Sequence, residues 1–267
     1  MFIKELFRTI KFIPNSRKDI FIGDIIMTKL LYQTDSYLRS FDATITGLVD
    51  EDHGIILDQT TFYPGGGGQP PDSGKITIEN VDYIVKKARK QGMNVVHVIN
   101  EHSPLPEINQ LIKGEIDWKQ RYQLMRTHTA MHILCGVIFR DFGASVTGGS
   151  MNPLKGRMDF EFETMQKELV QTIEIAVNTE VENARPVKVA VLPRDEAFQI
   201  PDLIRTKINL LPEGIKQVRV VEIKGLDLQA DGGTHVNNTS EVGRIRIVDY
   251  KSKGKINKRI YVELDEK

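Results

Sequence analysis

Two short motifs that lie far apart in the chain constrain its fold more than any other feature. His128 and His132 are four residues apart in HTAMH, and Asp231 and His235 have the same spacing in DGGTH. Three imidazoles and a carboxylate form a ligand set that suits Zn²⁺ and, less specifically, other divalent metals. One such pair is weak evidence, but two pairs in one chain are much stronger. We therefore predict a fold that brings both motifs to a single Zn²⁺ ion, one per chain.

The first motif lies in a stretch whose apolar residues recur at helical spacing, WKQRYQLMRTHTAMHILCGVIFRDF. This pattern predicts one long helix, with Gly143 as its stop. The rings of His128 and His132 would then project from one face, one turn apart. The alternative is that hydrogen bonds in a protein core satisfy both histidines. HTAMH also lacks the glutamate of the H-E-x-x-H motif, which argues against a peptidase.

Glycines shape two further segments. Gly232 and Gly233 let the chain turn tightly enough for Asp231 and His235 to face one point, the alternative being a hairpin turn with an incidental histidine. The other segment, TTFYPGGGGQPPDSG, has four consecutive glycines followed by Gln69. The N–H groups of such a run can face a carbonyl or a phosphate, and the Gln69 amide can both donate and accept. The alternative is a flexible surface loop.

Composition excludes several classes of protein. The 267 residues, 40% of them hydrophobic, suffice for one large domain or two ordinary ones. No apolar run approaches the roughly 18 residues that span a bilayer, so no membrane association is expected. Cys135 is the only cysteine. A single cysteine rules out an internal disulfide and suits a reducing, cytoplasmic location. We expect Cys135 itself to be a buried apolar residue. The 36 basic and 36 acidic residues argue against coating nucleic acid through bulk charge, but they allow a local basic patch.

The hydrophobic pattern divides the chain into three segments. Residues 1–26 are expected to be an N-terminal extension, either a mis-assigned start or a surface arm that makes few long-range contacts. Residues 27–115 show strand periodicity with Gly and Asp turns, which predicts a β-barrel-like domain that carries the glycine-rich loop. Residues 116–267 combine the long helix, a second helix at about 164–183 and further strands. The predicted fold class is α+β.

The three motifs together resemble those of the AlaX family, the free-standing relatives of the alanyl-tRNA synthetase editing domain. The resemblance runs from about Met27 to the C-terminus and includes HTAMH, DGGTHVNNTSEVG and TTFYPGGGGQPPDSG in the family's order. It implies a β-barrel-like domain joined to an α+β editing domain. It also implies a zinc-dependent hydrolase that deacylates mischarged tRNA(Ala) in trans, chiefly the seryl ester. The implied zinc ligands are His128, His132, Asp231 and His235.

Two positions depart from the family's pattern. Asp231 stands where the family usually has Cys, and because oxygen is harder than sulfur, other divalent ions can compete with Zn²⁺ there. Gly65 stands where the family often has Thr or Glu, which leaves the choice between seryl and glycyl esters open. The role of the metal is also open: it activates water or the ester carbonyl, or it orients the substrate. Asp231 is either a permanent ligand or one that detaches and acts as a general base.

Three polar side chains are candidates for the catalytic pocket: Gln69, Thr129 and Thr234. A site that recognises the hydroxyl of serine rejects alanine, because its own polar groups would be left unpaired. Each of the three could instead cap a helix or satisfy a loop. The glycine-rich loop is implied to lie beside the aminoacyl group. Its candidate substrate contacts are Gly66, Gly67 and Gly68.

A basic hairpin is predicted near the C-terminus. RIRIVDYKSKGKINKR holds seven basic residues and a single acid, Asp249. Such an excess suits contact with phosphates, and the candidate tRNA-binding residues are Lys251, Lys253 and Lys255. The alternative is a solvated edge strand that lysines protect from pairing with other chains.

The leading hypothesis is a hydrolase of Ser-tRNA(Ala), with Gly-tRNA(Ala) as a second substrate. One alternative is a deacylase for Ser-tRNA(Thr), since threonyl-tRNA synthetase editing domains share the two metal motifs. The other is a tRNA-binding module with a structural metal and no activity, which the Asp231 departure favours. The sequence leaves the oligomeric state, monomer or dimer, open.

Overall fold

The computed structural model describes residues 10–11, 27–162, 164–204 and 215–266. They form two compact units. The described residues of the first unit lie within Met1–Gly65 and Pro71–Arg121, and those of the second lie within Gly66–Pro70 and Tyr122–Lys267. The predicted extension, residues 1–26, lies outside the described residues except for the backbone of Ile10–Lys11, which pairs with Leu48 and Val49. The expectation that the extension makes few long-range contacts stays a prediction.

Strands form most of the regular structure of the first unit, which also has short 3-10 helices at Leu31–Gln33 and Asp50–Asp52. The strands are β1 (Ile10–Lys11), β2 (Lys29–Leu30), β3 (Ser40–Val49), β4 (Gly54–Leu57), β5 (Gln59–Thr60), β6 (Gly74–Ile78), β7 (Val81–Gln91), β8 (Asn94–Ile99) and β9 (Leu111–Ile116). Six of these described strands follow one another in the order β3-β4-β8-β7-β6-β9, and β9 pairs with β3. All of these pairings are antiparallel, so the sheet closes into a barrel. The predicted barrel is confirmed.

The barrel closes around an apolar interior because its strands alternate inward and outward side chains. Along β3, for example, Phe41, Ala43 and Ile45 are buried, and the residues between them are not fully buried. Burial of each large side chain contributes about 1.5–3 kcal/mol relative to exposure. The interior residues are Phe41, Ala43, Ile45, Ile55, Leu57, Phe62, Ile76, Ile78, Tyr83, Val85, Ala88, Val95, Ile99, Ile112 and Ile116.

A buried ion pair fixes the segment that follows the glycine-rich loop. Arg121 donates to the carboxylate of Asp72, and both side chains are almost fully buried. The guanidinium also donates to the carbonyl oxygens of Ser36, at 3.0 Å, and Thr61, at 2.6 Å. Asp72 in turn accepts the N–H of Tyr63 at 2.7 Å. Because a buried charge is costly unless it is fully hydrogen-bonded, this network holds the chain on both sides of the loop in one arrangement.

The second unit combines helices with two small antiparallel sheets. The helices are α1 (Trp118–Phe142, whose first four residues belong to the first unit), α2 (Lys167–Glu182) and α3 (Arg194–Ala197). One sheet has the order β10-β11-β16-β15, and the other has the order β12-β13-β14. The strands are β10 (Val146–Asn152), β11 (Lys155–Glu161), β12 (Val187–Pro193), β13 (Gln217–Ile223), β14 (Asp227–Ala230), β15 (Ile245–Ser252) and β16 (Asn257–Leu264).

The long helix α1 has the predicted length, and its residues from Leu124 to Ile138 are buried on every side. Gly143 ends it as expected: its φ is 64°, and its N–H donates to the carbonyl of Phe139 at 3.0 Å. Helix α2 starts three residues later than predicted, because Gln166 is extended. Cys135 is buried, as expected. Among the described helices, none is long and apolar enough to cross a membrane.

His97 is a titratable group in the wall of the barrel. Its Nε2 lies 2.8 Å from Thr60 Oγ1, and its Nδ1 lies 3.0 Å from the carbonyl oxygen of Ile55. Complete burial lowers the pKa of His97 to about 4. The neutral imidazole is therefore the form that the folded barrel accepts.

Acidification should destabilise the protein through His97. Because its folded pKa of about 4 lies below the ordinary 6.5, the stabilisation is complete above pH 6.5 and is lost as the pH falls towards 4. Between pH 7 and pH 4 the free energy of unfolding of the wild type should fall by about 3 kcal/mol more than that of His97→Gln. Urea unfolding followed by circular dichroism measures both. Parallel pH curves for the two proteins would contradict this prediction.

Candidate metal centre

The two sequence motifs meet in the second unit. Helix α1 carries His128 and His132, and the segment after β14 carries Asp231 and His235. One ligand atom from each residue lies within 4.8 Å of the other three, and the four side chains are buried or half-buried. The motifs therefore converge as the sequence predicts, and the four residues could hold a metal ion.

The outer nitrogen of each histidine has its own partner. His128 Nδ1 lies 3.1 Å from Gln69 Oε1, His132 Nδ1 lies 3.0 Å from Asp227 Oδ2, and His235 Nδ1 lies 3.2 Å from Thr129 Oγ1. An Nδ1–H that donates outwards leaves Nε2 with its lone pair, which is the arrangement that metal-binding histidines adopt. The rings also pack tightly, since the centroids of His128 and His235 are 4.2 Å apart.

The carboxylate of Asp231 lies among the imidazoles. Its Oδ2 accepts the N–H of Gly233 at 2.7 Å and lies 3.0 Å from His235 Nε2, and its Oδ1 lies 3.6 Å from His128 Nε2. Arg219 Nη1 donates to the backbone carbonyl of Asp231 at 2.9 Å. These contacts fix both the backbone and the side chain of Asp231.

The electrostatics favour the deprotonated forms that a metal needs. Burial lowers the pKa of His128 to about 4 and holds the pKa of His235 well below its ordinary value. Burial would raise the pKa of Asp231, but its interactions with the surrounding imidazoles, His128 foremost, outweigh burial and hold that pKa well below its ordinary value. His132 differs, because the hydrogen bond and charge of Asp227 outweigh burial and raise its pKa.

The glycine-rich loop is anchored to this cluster. Gly66 and Gln69 exchange two backbone hydrogen bonds, and the Gly68 carbonyl accepts the N–H of Met151 at 3.0 Å. The Gln69 side chain accepts from His128 Nδ1 and from the N–H of Thr234, and its Nε2 donates to Thr234 Oγ1 at 2.8 Å. The loop is therefore held, rather than flexible as in the alternative interpretation.

The remaining predicted pocket residues differ in their surroundings. Thr129 is fully buried, and its hydroxyl contacts the N–H of Val236 and His235 Nδ1. Thr234 is also buried, and its hydroxyl accepts from Gln69. Gly67 lies beside Asp231, since a Cβ at this glycine would be 4.0 Å from Oδ1. The structure thus brings Gln69, Thr129, Thr234 and Gly67 to one cluster, while the backbone of Gly66 hydrogen-bonds to Gln69 and that of Gly68 to Met151.

Comparison with known proteins agrees with this geometry. Residues 218–261 match the model of the threonyl and alanyl tRNA synthetase second additional domain, and residues 37–120 match that of class II (A) tRNA synthetases. The alanyl-tRNA editing protein AlaX-M of Saccharolobus solfataricus is 38% identical over 88% of this chain and 98% of its own length. AlaX-M of Methanosarcina barkeri is 36% identical over 89% and 99%. The chain belongs to the AlaX family. An alanine–tRNA ligase of Saccharolobus islandicus is 35% identical over 83% of this chain but over only 25% of its own length.

The basic hairpin of this AlaX chain is formed by β15 and β16, and β15 is an edge strand of its sheet. Lys251 pairs with Asp249 at 3.0 Å, whereas no described ion pair involves Lys253 or Lys255. All three lysines are exposed. No hydrogen bond or ion pair within the described ranges joins them to the metal cluster. Their role in tRNA binding stays a prediction.

Two residues of this AlaX site were missed by sequence reasoning. Asp227 contacts His132, and Arg219 contacts Asp231. Asp227 lies four residues before Asp231, so the i, i+4 spacing of the motif is repeated once more in DLQADGGTH. That repeat is the one signal that could have revealed it. Arg219 lies within an ordinary strand pattern, VRVVEI, and gave no signal.

Space for the histidines depends on one of the two motif glycines. A Cβ at Gly233 would lie 2.3 Å from His128 Cε1 and 2.7 Å from Gln69 Oε1, whereas a Cβ at Gly232 would meet nothing within 4 Å. Gly233→Ala should therefore displace His128 and lower Zn²⁺ affinity by at least about tenfold. Competition with a chromophoric chelator measures this loss. Gly232→Ala is the matched control and should bind like the wild type, so equal affinity in both variants would contradict the role of Gly233.

Proposed function

We propose that this chain hydrolyses the ester bond of mischarged tRNA(Ala) in trans. The convergence of His128, His132, Asp231 and His235 carries the proposal, because it forms a buried reactive site in a chain whose relatives are named alanyl-tRNA editing proteins. A cytoplasmic location and mischarged tRNA(Ala) as the partner belong to the same proposal. Asp231 in place of a cysteine does not by itself imply an inactive tRNA-binding module, because its carboxylate lies among the imidazoles of the cluster.

The metal in this proposal is Zn²⁺, held by His128, His132, Asp231 and His235. The fit rests on the donor set and on the outward hydrogen bonds of the three Nδ1 atoms, which turn the rings towards one point. A bound Zn²⁺ supplies positive charge that polarises an ester carbonyl or lowers the pKa of a water molecule. Because the N–H of Gly233 holds Asp231 Oδ2 in place, we assign this carboxylate to binding the metal rather than to detaching as a base.

The residues around the metal would select the amino acid. Thr234 accepts from Gln69, and the described contacts leave its own O–H proton for the side-chain hydroxyl of a seryl ester. An alanyl ester would leave that buried group unpaired, at a cost of about 1–3 kcal/mol. Gln69 also retains one amide proton beyond its described contacts. Thr129 is enclosed by Val236 and His235, so we assign it to holding His235 instead of contacting substrate.

Hydrolysis of the ester then proceeds by attack of a water molecule. The water oxygen attacks the carbonyl carbon of the aminoacyl ester while the water gives up a proton. The bond to the ribose oxygen breaks, and that oxygen takes up a proton, so the free amino acid and the tRNA hydroxyl are released. The backbone of Gly67 lies at the Asp231 side of the cluster, where the aminoacyl group would lie. Burial of the cluster excludes bulk water, which strengthens every polar contact to the developing charge.

A panel of substrates tests the function. Purified protein with Zn²⁺ is mixed with Ser-tRNA(Ala), Gly-tRNA(Ala), Ser-tRNA(Thr) or Ala-tRNA(Ala), and ester loss is followed over time. Ser-tRNA(Ala) should be hydrolysed fastest and Ala-tRNA(Ala) spared. Chelation should abolish the activity, and Zn²⁺ should restore it. If none of the four substrates is hydrolysed, the result supports a tRNA-binding module without activity. If Ser-tRNA(Thr) is hydrolysed fastest, the result supports a Ser-tRNA(Thr) deacylase.

We further propose that the hairpin lysines contact tRNA phosphates. Replacing Lys251, Lys253 and Lys255 by Ala should weaken binding to every tRNA alike and lower the salt slope by about one for each lost phosphate contact. Filter binding at several salt concentrations measures both. The matched control replaces three exposed lysines of β7 in the first unit, Lys86, Lys87 and Lys90. If the control weakens binding equally, bulk charge is responsible, and the hairpin is only a protected edge.

A further inference from the structure

A second buried carboxylate lies behind the metal-binding residues. Asp227 is the first residue of β14, and its side chain is completely buried. Its Oδ2 lies 3.0 Å from His132 Nδ1, on the side of the ring away from the cluster. Burial of a carboxylate costs free energy unless polar groups hydrogen-bond to it, so the contact between Asp227 and His132 is expected to have a function.

The approach of Asp227 to His132 depends on a glycine in helix α1. Gly136 lies one helical turn after His132, and a Cβ there would be 3.1 Å from Asp227 Cβ and 2.9 Å from Leu226 Cγ. The missing side chain lets the turn between β13 and β14 pack directly on the helix. That turn is closed by the N–H of Leu226, which donates to the carbonyl of Ile223 at 2.9 Å.

Gln229 fixes the carboxylate in this position. Its Nε2 donates to Asp227 Oδ2 at 2.6 Å and lies 3.4 Å from Cys135 Sγ. The amide therefore lies between the strand and the helix and keeps the carboxylate on the Nδ1 side of His132. Asp227, Gln229 and His132 form one hydrogen-bonded group.

The three histidines consequently have unequal partners. His128 donates to the amide oxygen of Gln69, and His235 contacts the hydroxyl of Thr129, both of which are neutral. Among the described contacts, only His132 has an anionic partner at Nδ1. Hydrogen bonds to charged groups are about twice as strong as neutral ones, and a carboxylate behind an imidazole increases its basicity as a ligand.

We propose that Asp227 is a positioning residue that fixes His132 with its proton on Nδ1 and makes it the strongest imidazole ligand of the site. The inference rests on the metal assignment of the proposed function. The carboxylate accepts the Nδ1–H of His132, and Nε2 keeps its lone pair for the metal. Gly136 provides the space, and Gln229 holds the carboxylate.

Zinc affinity of the purified full-length chain is the first test. Asp227→Asn keeps the size of the side chain and removes its charge, and should lower affinity for Zn²⁺ about tenfold. Asp227→Ala removes the hydrogen bond as well, and should approach a 100-fold loss. The matched control is Asp159→Asn, which alters another buried carboxylate of the same unit that is paired with Arg259. It should bind Zn²⁺ like the wild type.

A second measurement separates positioning from a general structural role. In the metal-free chain, ¹⁵N NMR of the imidazoles should show His132 protonated on Nδ1. In Asp227→Asn the His132 signals should shift, while those of His128 and His235 stay. Unchanged affinity and an unchanged His132 signal in the Asp227 variants, with Zn²⁺ bound by the wild type, would overturn this inference alone. A wild type that binds no Zn²⁺ would overturn the metal assignment with it.

Discussion

The geometry of the metal cluster depends on the amide of Gln69. Its oxygen accepts from His128 Nδ1 and from the N–H of Thr234, and its nitrogen donates to the hydroxyl of Thr234. One side chain therefore joins the glycine-rich loop, helix α1 and the DGGTH segment. Each of these groups is buried, so losing the amide would leave several polar atoms unsatisfied, at about 1–3 kcal/mol each. The glycine-rich loop therefore has a structural role in the cluster, in addition to its proposed contact with the substrate.

The cluster also depends on partners outside the four candidate metal ligands. An amide, a carboxylate and a hydroxyl each occupy the outer nitrogen of one histidine, which orients the inner nitrogens. The three partners come from the glycine-rich loop, from β14 and from α1 itself. Because these elements are far apart in the chain, the site forms only when the second unit is folded. The proposed metal binding is therefore a property of that unit rather than of either motif.

Several parts of this arrangement were predictable from the sequence, and the reasons are local. Helix α1 was predictable because its apolar residues repeat at helical spacing and Gly143 ends it, and the barrel because β3 alternates. The convergence of the two motifs followed from the ligand set. The partners Asp227 and Arg219 were not predictable, because their roles depend on how β13 and β14 pack against α1. The pairing of Lys251 with Asp249 likewise depends on the register of a hairpin, which charge counting does not reveal.

In the proposed metal site, position 231 contributes a carboxylate where the AlaX resemblance implies the thiolate of a cysteine. A thiolate binds a metal through one atom, whereas a carboxylate has two oxygens and can rotate, so Asp231 needs more support than Cys would. The N–H of Gly233 donates to Oδ2. Arg219 Nη1 donates to the backbone carbonyl of Asp231 and lies 3.7 Å from Oδ2. The backbone N–H comes from the glycine that also makes room for His128. One tight turn thus presents the carboxylate to the cluster, limits its rotation and admits the imidazole, and this geometry supports the proposal that an oxygen ligand serves at this position.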